Sequence, residues 1–261
     1  MKKPSRLDYA YAVGRVRVLE KRLIERAVFS EAAEEKDFPC AVKIIFDAGE
    51  FSEEMIKITD AEELDDFLEK EEEKLLRLLT EVLLEKNILE IFLEGKRPGK
   101  ALEISENVGY SFIHSYIKHK IDLANLKILC RLKYSGASRE KFEELILEGG
   151  LLDERILLQN FEATFSDIGE IIQTTPYGKL WNKGIDTLNE KETFIDLERG
   201  IEDFLMIYLR KAKYIVFGPE PVLAYGLAKR HELNLVRLLG VGKLSDIPPG
   251  ILKQRISETY V

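Results

Sequence analysis

Apolar residues recur at intervals of three and four along most of this chain, and that period limits the folds open to it. One apolar stripe lies between residues 9 and 28 and comprises Tyr9, Ala12, Val13, Val16, Leu19, Leu23 and Ala27. A second comprises Leu64, Leu68, Leu75, Leu79 and Val82. This spacing is that of one face of an amphipathic α-helix, whereas a half-buried strand alternates at every second residue. The sequence therefore predicts an all-α fold.

Local signals mark where helices begin and where the chain divides. Thr59-Asp60-Ala61-Glu62 fits a capping box, which predicts that a long helix starts there. The segment from Ala41 to Phe46 is rich in β-branched residues, but no partner strand is evident, so we predict a helix. Breaks at Arg97-Pro98-Gly99 and Gly218-Pro219 divide a single helical chain into approximate sub-regions 1–97, 98–217 and 218–261.

A weak internal repeat links the middle of the chain to its last part. The segment from Ile121 to Ser135 aligns with the segment from His231 to Ser245 at an offset of 110 residues (232 minus 122). The matched pairs include Asp122 with Glu232, Lys127 with Arg237 and Lys133 with Lys243. The repeat predicts that similar helix pairs pack side by side around one structure.

Charge and hydropathy exclude several classes of protein. The formal net charge of −8 argues against a chain whose main role is to bind nucleic acid, because neutralising phosphates requires a surplus of Lys and Arg. No apolar run approaches the ~20 residues that span a bilayer, and residues 1–8 lack the apolar core of a signal peptide. Cys40 and Cys130 match no disulfide or metal pattern. We predict a soluble cytoplasmic protein with buried, reduced thiols.

No segment carries a recognisable catalytic or cofactor motif. Gly99-Lys100-Ala101 and Gly178-Lys179-Leu180 lack the hydroxyl residue of a P-loop. Gly240 to Ser245 lacks the third glycine of a dinucleotide fingerprint and follows a helical segment, which suggests a helix end or a close helix crossing. His114 and His119 are five residues apart, so they do not share one helix face as a metal pair would. We predict no catalytic residue, no cofactor and no metal.

Three segments resemble the family of C subunits of A/V-type ATPases, whose members are named d in eukaryotic enzymes. Residues 121–127 (Ile-Asp-Leu-Ala-Asn-Leu-Lys) with residues 131–133 (Arg-Leu-Lys) resemble the family's repeated I-D-x-x-N-L-K…R-x-K signature. Residues 9–17 are similar to its Y-x-x-A-R-V-R start, and residues 218–248 resemble its closing segment. The resemblance covers most of the chain.

The resemblance implies helical bundles in pseudo-symmetric repeats that form a cone or funnel. It implies a non-catalytic central-stalk subunit of an ATPase or ATP synthase, which binds the central shaft and the membrane proteolipid ring and transmits torque. Such a protein would contact the membrane only through the ring and would be a monomer in isolation. The family carries three such modules, whereas this chain shows one good copy and one degenerate copy, so we expect one repeat to be reduced, with the short link from Gly95 to Lys100 in its place.

Six residues are the candidates for the partner interface: Asp122, Asn125, Lys127, Arg131, Glu232 and Arg237. One interpretation of the first two is structural, as capping residues at a helix start and as hydrogen-bond partners between helices. The other is that this helix start faces the interior of the cone and contacts the shaft together with Lys127 and Arg131. A helical repeat scaffold or adaptor unrelated to the ATPase, and an enzyme with a cryptic site, remain as alternative interpretations.

Overall fold

The computed structural model describes residues 3–94 and 97–261, and this part of the chain contains α-helices and short 3-10 turns but no strand. The all-α prediction is confirmed. Gly95 and Lys96, which belong to the predicted link, lie outside the described residues. The helices are α1 Ala10–Glu20, α2 Arg26–Glu34, α3 Phe38–Ala48, α4 Ala61–Val82, α5 Lys86–Leu93, α6 Pro98–Val108, α7 Ser111–Tyr134, α8 Arg139–Leu145, α9 Glu154–Gln159, α10 Phe165–Ile172, α11 Gly178–Lys191, α12 Ile195–Arg210, α13 Pro219–Leu244 and α14 Pro249–Arg255.

The helices belong to two compact units. The first unit combines the described residues up to Phe92 with Met206–Val261, and the second is Leu93–Leu205. The first and last parts of the chain thus fold together. The three predicted sub-regions along the chain stay a prediction of where the repeats lie. Among the described helices, none is both long enough and apolar enough to cross a membrane.

The core of the first unit forms where α13 packs against α4. The five predicted positions of the α4 stripe, Leu64, Leu68, Leu75, Leu79 and Val82, are all buried. Glycines on α13 permit this close packing: a Cβ on Gly240 would lie 2.5 Å from a Leu64 methyl group, and one on Gly226 would lie 2.8 Å from a Leu79 methyl group. Gly240 therefore marks a close helix crossing, which confirms that part of the prediction.

Two local predictions in this unit are wrong. The cap of α4 lies one residue later than predicted: the Asp60 carboxylate accepts the Glu63 N–H, and Glu63, rather than Glu62, accepts the Thr59 N–H. The stripe between residues 9 and 28 is not one helix, because α1 ends at Glu20 and α2 begins at Arg26. The segment from Ala41 to Phe46 is helical, as predicted, within α3.

Aromatic residues fill the core of the second unit. Trp181, Tyr177 and Phe142 are fully buried in a cluster with leucines of α7. The indole N–H of Trp181 donates to the Phe165 carbonyl at 3.0 Å, so this polar atom has a partner in the core. Trp181 is therefore a packing residue of this core.

The end of the long helix has the same geometry in both units. After α7, the Ala137 N–H donates to the Leu132 carbonyl, and after α13 the Ile247 N–H donates to the Gly242 carbonyl. The residue before each donor is left-handed, with φ of 68° at Gly136 and 54° at Asp246. This pattern is a Schellman motif, which turns the chain sharply into a short helix, α8 or α14. Each of these features recurs 110 residues later (247 minus 137).

Candidate functional site

Asp122 is fully buried at the middle of α7 and holds a loop. Its carboxylate accepts the N–H groups of Leu151 at 3.0 Å and Leu152 at 3.1 Å, and it accepts the Tyr177 hydroxyl at 2.7 Å. Burial raises the pKa of Asp122 above its ordinary value, although these three hydrogen bonds favour the ionised form and oppose that shift. Asp122 therefore fixes the segment that leads into α9.

Asn125 anchors an earlier part of the same loop, one turn further along α7. Its side-chain amide donates to the Leu147 carbonyl at 2.8 Å, and its side-chain oxygen accepts the Leu147 N–H at 2.8 Å. Like Asp122, it is shielded from solvent. Asn125 therefore satisfies both backbone groups of one loop residue in a buried position, where unpaired polar groups are costly.

Lys127 and Arg131 lie on a different side of α7 and share one acid. The Lys127 ammonium is 3.0 Å from a Glu198 carboxylate oxygen, and the Arg131 guanidinium contacts the same oxygen. Burial alone would raise the pKa of Glu198, but the hydrogen bond and positive charge of Lys127, with the charge of Arg131, hold it below its ordinary value. All three side chains are partly exposed, so this group faces solvent.

These positions change the prediction for the first four candidates. Asp122 and Asn125 are neither at a helix start nor on a surface, because α7 begins at Ser111 and both are buried. Their structural interpretation holds in part: they form hydrogen bonds to a loop, but they do not cap α7. Of these four residues only the two cations reach solvent, and their contact with a shaft stays a prediction.

Of the two candidates on α13, one is buried and the other is exposed, as on α7. Glu232 is buried, and its carboxylate accepts the Ile24 N–H at 2.6 Å and pairs with Lys229. Arg237 lies 3.3 Å from Asp65 of α4, and both side chains are about half exposed. Glu232 therefore corresponds to Asp122 as a buried loop anchor, and Arg237 corresponds to Lys127 as an exposed cation paired with an acid of a neighbouring helix.

The matched lysines Lys133, which is partly buried, and Lys243, which is buried, complete the pattern. Lys133 donates to the Phe161 carbonyl just after α9, and its ammonium lies 5.2 Å from the Phe161 ring centroid. Lys243 donates to the carbonyls of Ala33, at 2.7 Å, and Glu35, at the end of α2. The repeat aligned these two lysines, but their role was missed, because a sequence does not show which carbonyls a lysine reaches.

We call each arrangement of an acid and a lysine eleven residues apart on a long helix a clamp. In the second unit the clamp is Asp122 with Lys133 on α7, and it holds α9 between Leu152 and Phe161. In the first unit the clamp is Glu232 with Lys243 on α13, and it holds α2 between Ile24 and Ala33. Leu152 and Ile24 each lie two residues before their helix begins. The clamps therefore bind short helices in the same way.

Three buried polar side chains of the second unit form hydrogen bonds with one another. The Tyr177 hydroxyl donates to Asp122, so the Nδ1 atom of His119, 2.6 Å from that hydroxyl, carries the hydrogen and donates to it. These three side chains are thus joined to one another inside the core, and the described residues contain no group of acidic, histidine or cysteine side chains arranged to hold a metal ion. Of the six candidate residues, Lys127, Arg131 and Arg237 are exposed to solvent.

Comparison with known proteins gives a consistent set of matches. A family model described as ATP synthase (C/AC39) subunit matches residues 48–255. The C subunit of the V-type sodium ATPase of Enterococcus hirae is 27% identical over 157 residues, which cover 60% of this chain and 47% of that protein. The C subunit of the A-type ATP synthase of Halobacterium salinarum is 26% identical over 163 residues, 62% of this chain and 46% of that protein. The protein of the same name from Thermococcus kodakarensis is 27% identical over 157 residues, 57% of this chain and 40% of that protein. The chain thus spans about half the length of the curated relatives it matches.

Proposed function

Because this chain belongs to the ATP synthase (C/AC39) subunit family, we propose that it is a non-catalytic central-stalk subunit of an A/V-type ATPase or ATP synthase. It links the central shaft to the membrane proteolipid ring and transmits torque between them during ion transport or ATP synthesis. It contacts the membrane only through the ring, on the cytoplasmic side. The observation that carries this proposal is the family match, which extends over helices of both units.

A subunit that transmits torque must resist deformation, and the two clamps support this role. Each clamp ties both ends of a short helix to a long helix through charged hydrogen bonds that are buried or partly buried. Hydrogen bonds that involve an ionised group are stronger than neutral ones, and breaking one in a buried position leaves a polar group without a partner. The clamps therefore resist sliding of one helix along the other within each unit.

The partner contacts of this subunit lie at the exposed cations of the long helices. Lys127 and Arg131 share Glu198 on the second unit, and Arg237 pairs with Asp65 on the first. Exposed ion pairs contribute only about 0–1 kcal/mol, so they can be exchanged for pairs with acids of another protein at little cost. These cations bind the shaft, whereas Asp122, Asn125 and Glu232 keep the helices in place.

The decisive experiment is a pull-down of purified shaft subunits by the immobilised chain. Lys127→Glu with Arg131→Glu, and separately Arg237→Glu, should reduce the bound shaft severalfold without lowering the melting temperature by more than about 2 °C. The matched control, Lys141→Glu with Arg155→Glu, reverses two exposed cations of the second unit that also pair with nearby acids. It should bind normally. Normal binding by the first two variants would contradict this interface, and failure of the unaltered chain to bind shaft or ring would contradict the function.

The non-catalytic role has its own test. Titration calorimetry of the purified chain with ATP and Mg²⁺ should show no binding, because no glycine-rich loop precedes a Lys-Ser or Lys-Thr pair anywhere in the sequence. Micromolar binding to a sample free of catalytic subunits would contradict it.

A further inference from the structure

An exposed apolar line runs along the outer side of α1. It consists of Leu7, in the 3-10 turn that leads into the helix, with Tyr11, Gly14 and Val18. Leu7, Tyr11 and Val18 are exposed, Tyr11 to 77%. The opposite side of α1 already supplies the core, through Ala12, Val13 and Val16. We call this line the α1 seam; it is not required by the packing of the first unit.

The spacing of the α1 seam is that of a coiled-coil contact. Its members are separated by four, three and four residues, which places Leu7 and Gly14 at d positions and Tyr11 and Val18 at a positions of a heptad. A seam restricted to a and d positions is narrow and matches the ridge of a single helix. The periodicity therefore points to a helix as the occupant.

Gly14 gives independent support for a close neighbour. A Cβ at this position would meet no atom of the chain within 4 Å, so no contact in this chain requires glycine there. Glycine inside a helix costs about 0.5–1 kcal/mol relative to alanine. The missing side chain leaves room for a partner backbone to approach the middle of the seam.

Arginines border the seam on both sides. Arg15 occupies an e position and Arg17 a g position, and Arg22 lies in the turn that follows α1. Arg15 and Arg22 pair with Glu81 and Glu50 in exposed ion pairs, which exchange partners at little cost. Arg17 pairs with the buried Glu20 and is itself partly buried, so Arg15 and Arg22 are the arginines that a partner's acids can pair with.

A second exposed segment lies beside the seam and enlarges it. Arg17 donates to the carbonyls of Ala212 and Ile215, which holds this segment against α1. Tyr214, exposed to 88%, and Val216 project from it into solvent. The surface next to the seam is therefore apolar and aromatic.

The borders also decide between possible occupants. A second copy of this chain would bring its own Arg15, Arg17 and Arg22 against the same residues, and like charges at e and g positions disfavour pairing. We propose that the α1 seam docks an amphipathic α-helix of a partner protein, whose apolar stripe is bordered by Asp and Glu. The seam includes none of the cations of the proposed shaft contact, and its occupation does not depend on that function.

The test uses a labelled four-heptad peptide with Leu at a and d and Glu at e and g, titrated with the full chain by fluorescence anisotropy. The matched peptide carries Lys at e and g. The Glu peptide should bind at least about tenfold more tightly than the Lys peptide, and its affinity should fall as salt rises. Equal binding of the two peptides would overturn the proposal.

Variants of the chain locate the binding. Tyr11→Glu with Val18→Glu should abolish binding of the Glu peptide, whereas Ile56→Glu with Leu84→Glu, at exposed apolar positions elsewhere in the first unit, should not. Circular dichroism and melting curves check that both variants are folded. Unchanged binding by the seam variant would overturn the proposal. So would seam-dependent binding to phosphatidylserine–phosphatidylcholine vesicles, or seam-dependent dimers in ultracentrifugation, with no preference for the Glu peptide.

Discussion

Asp122 and Lys133 lie eleven residues apart on α7 and hold opposite ends of one short helix. The Asp122 carboxylate accepts the Leu152 N–H before α9, and the Lys133 ammonium donates to the Phe161 carbonyl after it. Three helical turns separate the two side chains, so both point to the same side of α7. This relationship explains why a buried carboxylate and a partly buried ammonium are present beside a core of aliphatic and aromatic side chains.

Removing one clamp lysine should destabilise the first unit. Lys243→Met keeps the length of the side chain but leaves the buried carbonyls of Ala33 and Glu35 without their donor. The free energy of unfolding should fall by about 1–3 kcal/mol, measured by urea denaturation. Lys253→Met is the control, because Lys253 pairs with Glu34 at the same end of α2 but is exposed. A loss as large in the control would contradict a specific role for Lys243.

Asp122 should contribute a stability that falls as the pH rises. Its pKa in the folded chain lies above the ordinary value of 3.8, so between these two pKa values the folded state binds more protons than the unfolded state. Raising the pH through that window therefore favours unfolding. The measurement is the unfolding free energy of the unaltered chain minus that of Asp122→Asn. This difference should decrease as the pH rises through the window.

Asp167 supplies a control of opposite sign for this measurement. Its hydrogen bonds with Thr164 hold the pKa of Asp167 below 3.8 in the folded chain. Its contribution to stability is therefore present above 3.8 and is lost as the pH falls through the lowered pKa. The Asp167→Asn difference should rise with pH. If the unfolding free-energy difference for Asp122→Asn also rose with pH, it would contradict a raised pKa for Asp122.

Gly150→Ala should disturb the loop that Asp122 holds. A Cβ at Gly150 would lie 1.9 Å from an Asp122 carboxylate oxygen, so the loop or the side chain must move. We expect a loss of about 1–3 kcal/mol in unfolding free energy. Gly14→Ala meets no atom within 4 Å and should instead stabilise α1 by about 0.5–1 kcal/mol. Thermal melts of the two variants should therefore shift in opposite directions.

The two thiols should react with iodoacetamide at very different rates. Burial raises the pKa of Cys130 to about 12, so its reactive thiolate is scarce at neutral pH. Cys40 is half-buried. Its hydrogen bond with Asp37 also raises its pKa, but by less than burial raises the pKa of Cys130. Peptide mass spectrometry should find Cys40 modified well before Cys130 in the folded chain, and both modified together in urea. Early modification of Cys130 without denaturant would contradict its burial.

The sequence predicted those parts of the fold that depend on neighbours along the chain. The stripe from Leu64 to Val82 is the buried face of α4, and the apolar run from Ala41 to Phe46 is helical. The α4 cap was misplaced by one residue because Thr59 and Asp60 are both good capping residues, and only the extended backbone at Asp60 decides between them.

Features that depend on distant partners were missed. Periodicity suggested one helix through residues 21–25, but the Ile24 N–H donates to Glu232, which lies 208 residues further along the chain. The I-D-x-x-N-L-K match likewise selected Asp122 without showing that it is buried. The signal that the sequence offered for the clamps was an acid followed eleven residues later by a lysine in both copies of the repeat.

The clamps also fix the direction of the helices they hold. Because the acid precedes the lysine on each long helix and binds the beginning of the short one, α9 runs parallel to α7, and α2 runs parallel to α13. Lys133 and Lys243 lie in the last turn of their long helices, so the negative ends of the long and short helices lie side by side there, which is unfavourable. The carboxylate lies beside the positive beginning of the short helix, and the ammonium lies beside its negative end. Each clamp thus offsets the repulsion that its own packing arrangement creates.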